Sequence, residues 1–173
     1  MISKRPRVVV RKSGRDLTMQ LVQHSTIGDT TLAAARAVDL KKLGYKGGTG
    51  NTPAAYLTGL LFANRALAAG YSNGVLDVGL NANSRGSRTY AAVLGALEAG
   101  FDIPFDRKPL PTLERSRGEH IAAFADANPA RFSRYGINPK ELPDHVDLLK
   151  REILDGAERK AAETAEIKGK HHG

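Results

Sequence analysis

The chain has 173 residues, 41% of them apolar, with 26 Lys+Arg against 18 Asp+Glu and a formal net charge of +8. That length and apolar fraction suit one globular core, and the complete lack of cysteine excludes a disulfide framework, thiolate zinc ligands and a cysteine nucleophile. Met1–Arg7 has no apolar leader core, and the longest apolar stretch, Pro53 to Tyr71, is interrupted by Asn64 and Arg65, so a cytoplasmic protein with no membrane span is expected.

Arg7–Lys12 (RVVVRK) is a β-branched run, Ser13–Asp16 has turn chemistry, and Leu17–His24 (LTMQLVQH) roughly alternates. Together they predict an antiparallel hairpin. Asp29–Val38 reads as a third strand, although its alanines also permit helix. Leu43–Thr52 (LGYKGGTGNT) is a Gly-rich loop. A helix follows, with Thr52 as N-cap, Pro53 in its first turn, Gly70 as its stop and Leu57, Leu60, Leu61 and Leu67 on one apolar face.

Gly74–Leu80 (GVLDVGL) predicts a buried strand, and Asn81–Gly86 a polar turn into a second helix. That helix has Ser87 as N-cap, Tyr90, Val93, Leu94 and Leu97 inward, and Gly100 as stop. An antiparallel meander followed by strand–turn–helix units points to an α/β fold with a mixed sheet. Pro104, Pro109 and Pro111 mark an extended connector before a short helix over Arg115–Ala127. Asn138-Pro139 starts a further helical region, striped by Val146, Leu149, Ile153 and Leu154, and Lys168–Gly173 reads as frayed tail. The expected organisation is a core over residues 1–104, a connector and helical extension over 105–167, and a disordered tail over 168–173.

The charge is one-sided. Residues 1–50 carry net +7, and the remainder is close to neutral. Such a block is a concentrated field for a polyanion. Arg5, Arg7, Arg11, Lys12 and Arg15 interleave with Val8–Val10, Arg7 and Arg11 sharing one strand face. This ribbon could follow phosphates, or it could be an edge strand blunted by charge. In Tyr45–Pro53 (YKGGTGNTP), three glycines, Lys46 and a helix start are the parts of a phosphate site. The Walker order is absent, since Lys46 precedes the glycines; a structural loop is the alternative. Tyr45 could stack on a base or simply pack. Arg85 and Arg88 flank Gly86-Ser87 at the second helix start, where solvated arginines are an equal reading. The Glu119-His120 neighbours lack HExxH spacing, and the histidines are otherwise scattered. An enzyme that binds a nucleotide or sugar phosphate through the Gly-rich loops is the runner-up function, and a scaffold docking another protein on the Val146–Leu154 stripe is a third.

As a set, several stretches resemble the archaeal and eukaryotic-type L-eighteen family of large-subunit ribosomal proteins. They are PRVVVRKS at Pro6–Ser13, GYKGGTGNTPAAYLTGLL at Gly44–Leu61, LDVGL at Leu76–Leu80, GSRTYAAVLGALEAGFDIP at Gly86–Pro104 and RSRGEHIAAF at Arg115–Phe124. Members usually carry a longer basic arm ahead of the first stretch; here Met1 stands nearly against it. The resemblance implies a ribonuclease-H-like core, no catalysis, no cofactor and no small-molecule substrate. It implies a role in attaching 5S rRNA to the large rRNA at the central protuberance, beside neighbouring large-subunit ribosomal proteins. Carried over by motif, the RNA-facing candidates are Arg7, Arg11, Lys12 and Arg15 in the basic strand and hairpin, Lys46, Gly47, Gly48, Thr49 and Asn51 in the loop, and Arg85 and Arg88 in the second turn; Lys4 and Arg5, just ahead of the first motif, join them by charge.

Overall fold

The computed structural model describes residues 5–82 and 84–170, with residues 126 and 157–170 described by backbone alone. Strands β1 (Arg7–Lys12), β2 (Leu17–Ser25) and β3 (Gly28–Arg36) form the expected antiparallel meander. The β1–β2 turn is held by Asp16, whose carbonyl accepts the Ser13 N–H at 2.9 Å while its own N–H donates to Ser13 Oγ at 3.0 Å. β3 ends at Arg36, and Ala37 and Val38, expected to continue the strand, begin a 3-10 helix over Ala37–Leu43. The Asp39 carboxylate drives that change by accepting the Arg36 N–H at 3.3 Å and Arg65 Nη1 at 2.8 Å.

Helix α1 (Thr52–Ala68) follows the Gly-rich loop. Its N-cap is Asn51, not Thr52 as expected: Asn51 Oδ1 accepts the Ala54 N–H at 2.8 Å, and an amide side chain reaches that donor as readily as a hydroxyl. Burial is also broader than one face. Leu57 and Leu60 are fully buried, but so are Ala54, Phe62 and Ala63, while Leu67 is 36% exposed. The helix is wrapped because the sheet lies on one side and later helices on the others.

The strand expected over Gly74–Leu80 is only Val75–Asp77 (β4), paired parallel to β1 at the sheet edge. Asp77 ends it by accepting the Gly79 N–H at 2.9 Å, and Leu80, expected inside, is fully exposed. The sheet order is β3-β2-β1-β4. Its inner face carries Val8, Val10, Leu17, Met19 and Leu21, all buried beneath α1 and α2. Its other face presents Arg7, Val9, Arg11, Thr18 and Gln20, exposed or half-buried.

Helix α2 (Arg88–Glu98) starts after Ser87 as expected, with Tyr90 and Val93 buried and Leu94 and Leu97 partly so. It crosses α1 at backbone contact. A β-carbon on Gly59 would overlap the Ala92 carbonyl, and one on Gly95 would overlap the Tyr56 carbonyl. Only glycine permits this approach.

The helix expected over Arg115–Ala127 is two: α3 (Leu113–Arg117) and α4 (Glu119–Ala127), broken at Gly118 with φ +95°. Leu142 and Pro53 crowd that glycine, so the chain turns there to pack on α1. Helix α5 (Leu142–Lys170) then lies against α1, with Leu142, Val146, Leu149 and Ile153 buried in the same apolar core as the sheet. Its last turn takes in Lys168–Lys170, where a tail was expected; residues 171–173 lie outside the described residues.

Polar ties fasten α5. Arg117 donates to Asp147 through both Nε (3.1 Å) and Nη2 (2.5 Å), a paired geometry that raises its already high pKa. Lys150 Nζ reaches Glu98 Oε2 at 2.8 Å and stands 5.5 Å from the centroid of the Tyr56 ring, while Tyr56 donates a short hydrogen bond to the same carboxylate. Burial, followed by that carboxylate, pushes the Tyr56 phenol well above its usual range. Among the described residues no helix is long and apolar enough to cross a membrane.

The α1–α2 contact has a direct test. Gly95→Ala forces the helices apart or strains both backbones and is expected to cost about 2 kcal/mol or more. A urea melt should show a lower midpoint with an unchanged slope; an unchanged midpoint would mean that the helices are not in backbone contact.

Candidate nucleic-acid interface

The basic strand is where the charge pattern pointed first. Arg7 and Arg11 share one strand face, as predicted, and that face is the open side of the sheet, where both meet acids. Arg7 Nη2 donates to Asp29 Oδ2 at 2.7 Å and its Nη1 lies 3.8 Å from Asp77. Arg11 reaches the Asp77 carbonyl at 3.2 Å and its carboxylate at 3.5 Å. Asp29 also meets His24 Nδ1 at 2.7 Å; that hydrogen bond, with the Arg7 charge, holds its carboxyl below the usual range. Lys12 is half-buried at the end of β1 and Arg15 is exposed in the turn; neither side chain forms an ion pair among the described residues. Arg5 is exposed. Lys4 lies outside the described residues.

The Gly-rich loop is a junction between protein segments. Gly47 is buried beneath the Tyr45 ring, Gly48 faces Tyr135, and a β-carbon on Gly50 would stand 2.6 Å from the Gly14 carbonyl of the β1–β2 turn. Thr49 Oγ1 donates to the Arg15 carbonyl at 2.6 Å. Asn51 is engaged through its whole amide: Oδ1 accepts from Ala54 N–H and, at 3.2 Å, from the Tyr45 hydroxyl, and Nδ2 donates to Tyr135 Oη at 3.1 Å. The helix start that was expected to offer free N–H groups is therefore capped from within, and its first residues, Thr52 and Pro53, are buried. Of the two roles open to Tyr45, the structure shows packing. The residue is 4% exposed and stacks on His145 at 5.8 Å between centroids; burial lifts its phenol above the usual range.

Lys46 holds the loop by its backbone and leaves its charge outside. Its N–H donates to His145 Nε2 at 3.1 Å and its carbonyl accepts the Gly136 N–H at 2.9 Å, while the residue itself is exposed. Arg88 Nη1 donates to the Gly50 carbonyl at 2.8 Å and so ties the start of α2 to this loop. Arg85 is exposed, with no ion pair among the described residues.

Thus the loop, the β1–β2 turn and the start of α2 meet, although the sequence pattern treats them as separate turns. The residues that clamp them, Tyr135, Gly136 and His145, come from nearly a hundred positions away, with no local sequence signal. Asp29 and Asp77 were likewise missed as partners of the basic strand. Among the described residues no cluster of three or more His, Asp or Glu could hold a metal ion.

Comparison with known proteins places these features in a wider set. Residues 2–75 match the family model described as ribosomal large subunit proteins 60S L5 and 50S L18. The chain is 46% identical to the large ribosomal subunit protein uL18 of Methanococcoides burtonii over 154 residues, covering 89% of this chain and 82% of the relative. It is 42% identical to the protein of the same name from Methanococcus maripaludis, covering 90% of this chain and 86% of the relative. For the Methanospirillum hungatei protein the identity is 44%, with 88% and 84% covered.

The His145 contact makes the junction sensitive to acid. Burial, and then the Lys46 charge, lower the His145 pKa below its ordinary 6.5 against the opposing pull of Glu152, and Nε2 accepts the Lys46 N–H only while it is unprotonated. His120 is lowered in the same direction by burial and by Arg115. Both groups bind protons more readily in the unfolded chain. Their contribution is therefore complete above about pH 6.5 and is lost as pH falls through the depressed folded values. Thermal melts should show Tm falling between about pH 7 and about pH 5, above the range where Asp29 and Asp39 titrate. His145→Gln should flatten that dependence; an unchanged pH profile in the variant would remove the histidine from the junction.

Proposed function

Because the chain belongs to the uL18 family of large-subunit ribosomal proteins, we propose that it binds 5S rRNA and helps to attach it to the large rRNA at the central protuberance. As a member of that family it is a structural, non-enzymatic component of the large ribosomal subunit, and the runner-up reading as a phosphate-binding enzyme falls away. The packing of the loop agrees: Gly47, Gly48 and Gly50 face Tyr45, Tyr135 and Gly14, where a nucleotide loop would present its glycines to a ligand.

The observation that carries the 5S rRNA reading is the similarity across nearly nine-tenths of the chain, joined to an excess of positive charge within residues 1–50. Affinity would come chiefly from cation–phosphate contacts and selectivity from the folded shape of the RNA. Lys12, Arg15, Lys46 and Arg85 are the assigned side chains best placed for this, being outside ion pairs among the described residues. Arg7 and Arg11 would contribute after exchanging carboxylate partners for phosphates. Gly47, Gly48, Thr49, Asn51 and Arg88 serve the interface by holding its shape. Large-subunit rRNA and adjoining ribosomal proteins are the further partners. The order β3-β2-β1-β4, with β4 parallel to β1, supports a ribonuclease-H-like description of the core.

Binding of purified full-length chain to a 5S rRNA transcript tests the reading. With four or more phosphate contacts, affinity should fall on the order of 10²-fold between about 50 and about 200 mM salt, and tRNA should compete poorly. Equal binding to tRNA would leave a basic protein without the proposed partner.

A further inference from the structure

From the contacts around Gly86 we infer that the RNA-facing surface extends beyond the basic amino-terminal segment, along an edge completed by Arg115 and the connector cations Arg107 and Lys108. This rests on the RNA-binding reading above and identifies side chains from the second half of the chain as part of the same contact.

The edge can be followed from one contact to the next. The β1–β2 turn, with Arg15 exposed, lies against Gly50. Gly50 accepts Arg88, the first residue of α2. Two residues earlier stands Gly86, where an added β-carbon would be 3.9 Å from Arg115 Nε. The Gly86 N–H donates to the Pro109 carbonyl at 2.9 Å, which brings the connector turn containing Arg107 and Lys108 to the same place. Arg115 also sits close enough to His120 to depress its pKa. Three chain segments far apart in sequence thus converge on the start of α2.

Charge bookkeeping separates this edge from the sheet face. Arg15, Arg85, Arg107, Lys108 and Arg115 are all exposed and form no ion pair among the described residues. The acids nearby in sequence include Asp16, Asp106 and Glu114; Asp16 is occupied by Arg36 at 2.7 Å, and Asp106 accepts the Lys108 backbone N–H at 3.1 Å. Glu119 is occupied by Arg117 at 3.1 Å. On the sheet face, by contrast, Arg7 and Arg11 share Asp29 and Asp77. A phosphate approaching Arg7 must displace a carboxylate, whereas one approaching Arg85 or Arg115 displaces only water and mobile ions. Release of mobile counterions is the dominant electrostatic gain in RNA binding, so the unpaired edge is where phosphates contribute most. A row of cations spread over several elements suits a phosphodiester backbone, whose charges are spaced along a line.

The test uses the full-length chain and a 5S rRNA transcript, with affinity measured across a salt series. Arg85→Ala/Arg115→Ala should weaken binding at least tenfold at about 0.1 M salt and reduce the slope of log affinity against log salt by about two. Lys41→Ala/Lys42→Ala removes the same charge from the exposed 3-10 helix and should change both quantities far less. Arg85→Lys/Arg115→Lys keeps the charge and should restore the slope, which separates phosphate contact from a folding defect. Equal losses in the two alanine pairs, or wild-type slope in Arg85→Ala/Arg115→Ala, would overturn the inference while leaving 5S rRNA binding intact. A wild-type chain that does not bind 5S rRNA would overturn the underlying reading, and this one with it.

Discussion

The loop from Gly44 to Asn51 is the constraint on which the rest of this surface depends. It has to pass between the β1–β2 turn, the start of α1 and the helices that follow residue 112, and each neighbour approaches within contact distance of its backbone. Glycine at positions 47, 48 and 50 makes room; Asn51 and Tyr45 supply the polar and aromatic contacts that hold the segments in register. A substitution that widened this junction would move the hairpin turn and the start of α2 together, because Thr49 and Arg88 tie each of them to the loop. The cationic surface is therefore a rigid consequence of packing, which suits recognition of an RNA by its folded shape.

Acids and cations are distributed with the same logic. The open face of the sheet is laced with Arg7–Asp29, Arg11–Asp77 and, at its far corner, Arg36–Asp16 contacts. These pairs are partly exposed and individually worth little to stability. Their larger effect is to offset the positive charge carried by the open face of the sheet. The second internal tie, between α5 and the α1–α2 pair through Lys150, Glu98 and Tyr56, fastens the long helix to the core.

Much of this was legible in the chain itself. The hairpin followed from Val8–Val10 alternating against Leu17, Met19 and Leu21 across a Ser-Gly-Arg-Asp turn; α1 and α2 followed from an apolar run and a terminal glycine at each, although the Ser87 hydroxyl makes no capping hydrogen bond. The misreadings share a cause. Thr52 and Asn51 are both good caps, and local preference does not choose between them. Gly74–Leu80 is apolar enough for a buried strand, yet only Val75–Asp77 pair, because β4 has one neighbour and Asp77 turns the chain away. Gly118 splits a helix whose side chains read as continuous, since the break answers to Pro53 and Leu142, which are distant in sequence.

Sequence alone determined the fold class, the family resemblance and the excess of positive charge within the first fifty residues, because periodicity, glycine placement and local composition act over a few residues. Only the tertiary structure decided which cations remain unbalanced and which glycines face protein. Those outcomes depend on who stands next to Arg7, Gly47 or Gly86, and the neighbours Asp29, Tyr45, Tyr135 and Arg115 arrive there through the topology of the sheet and the packing of α3 and α5, over separations that no local pattern encodes.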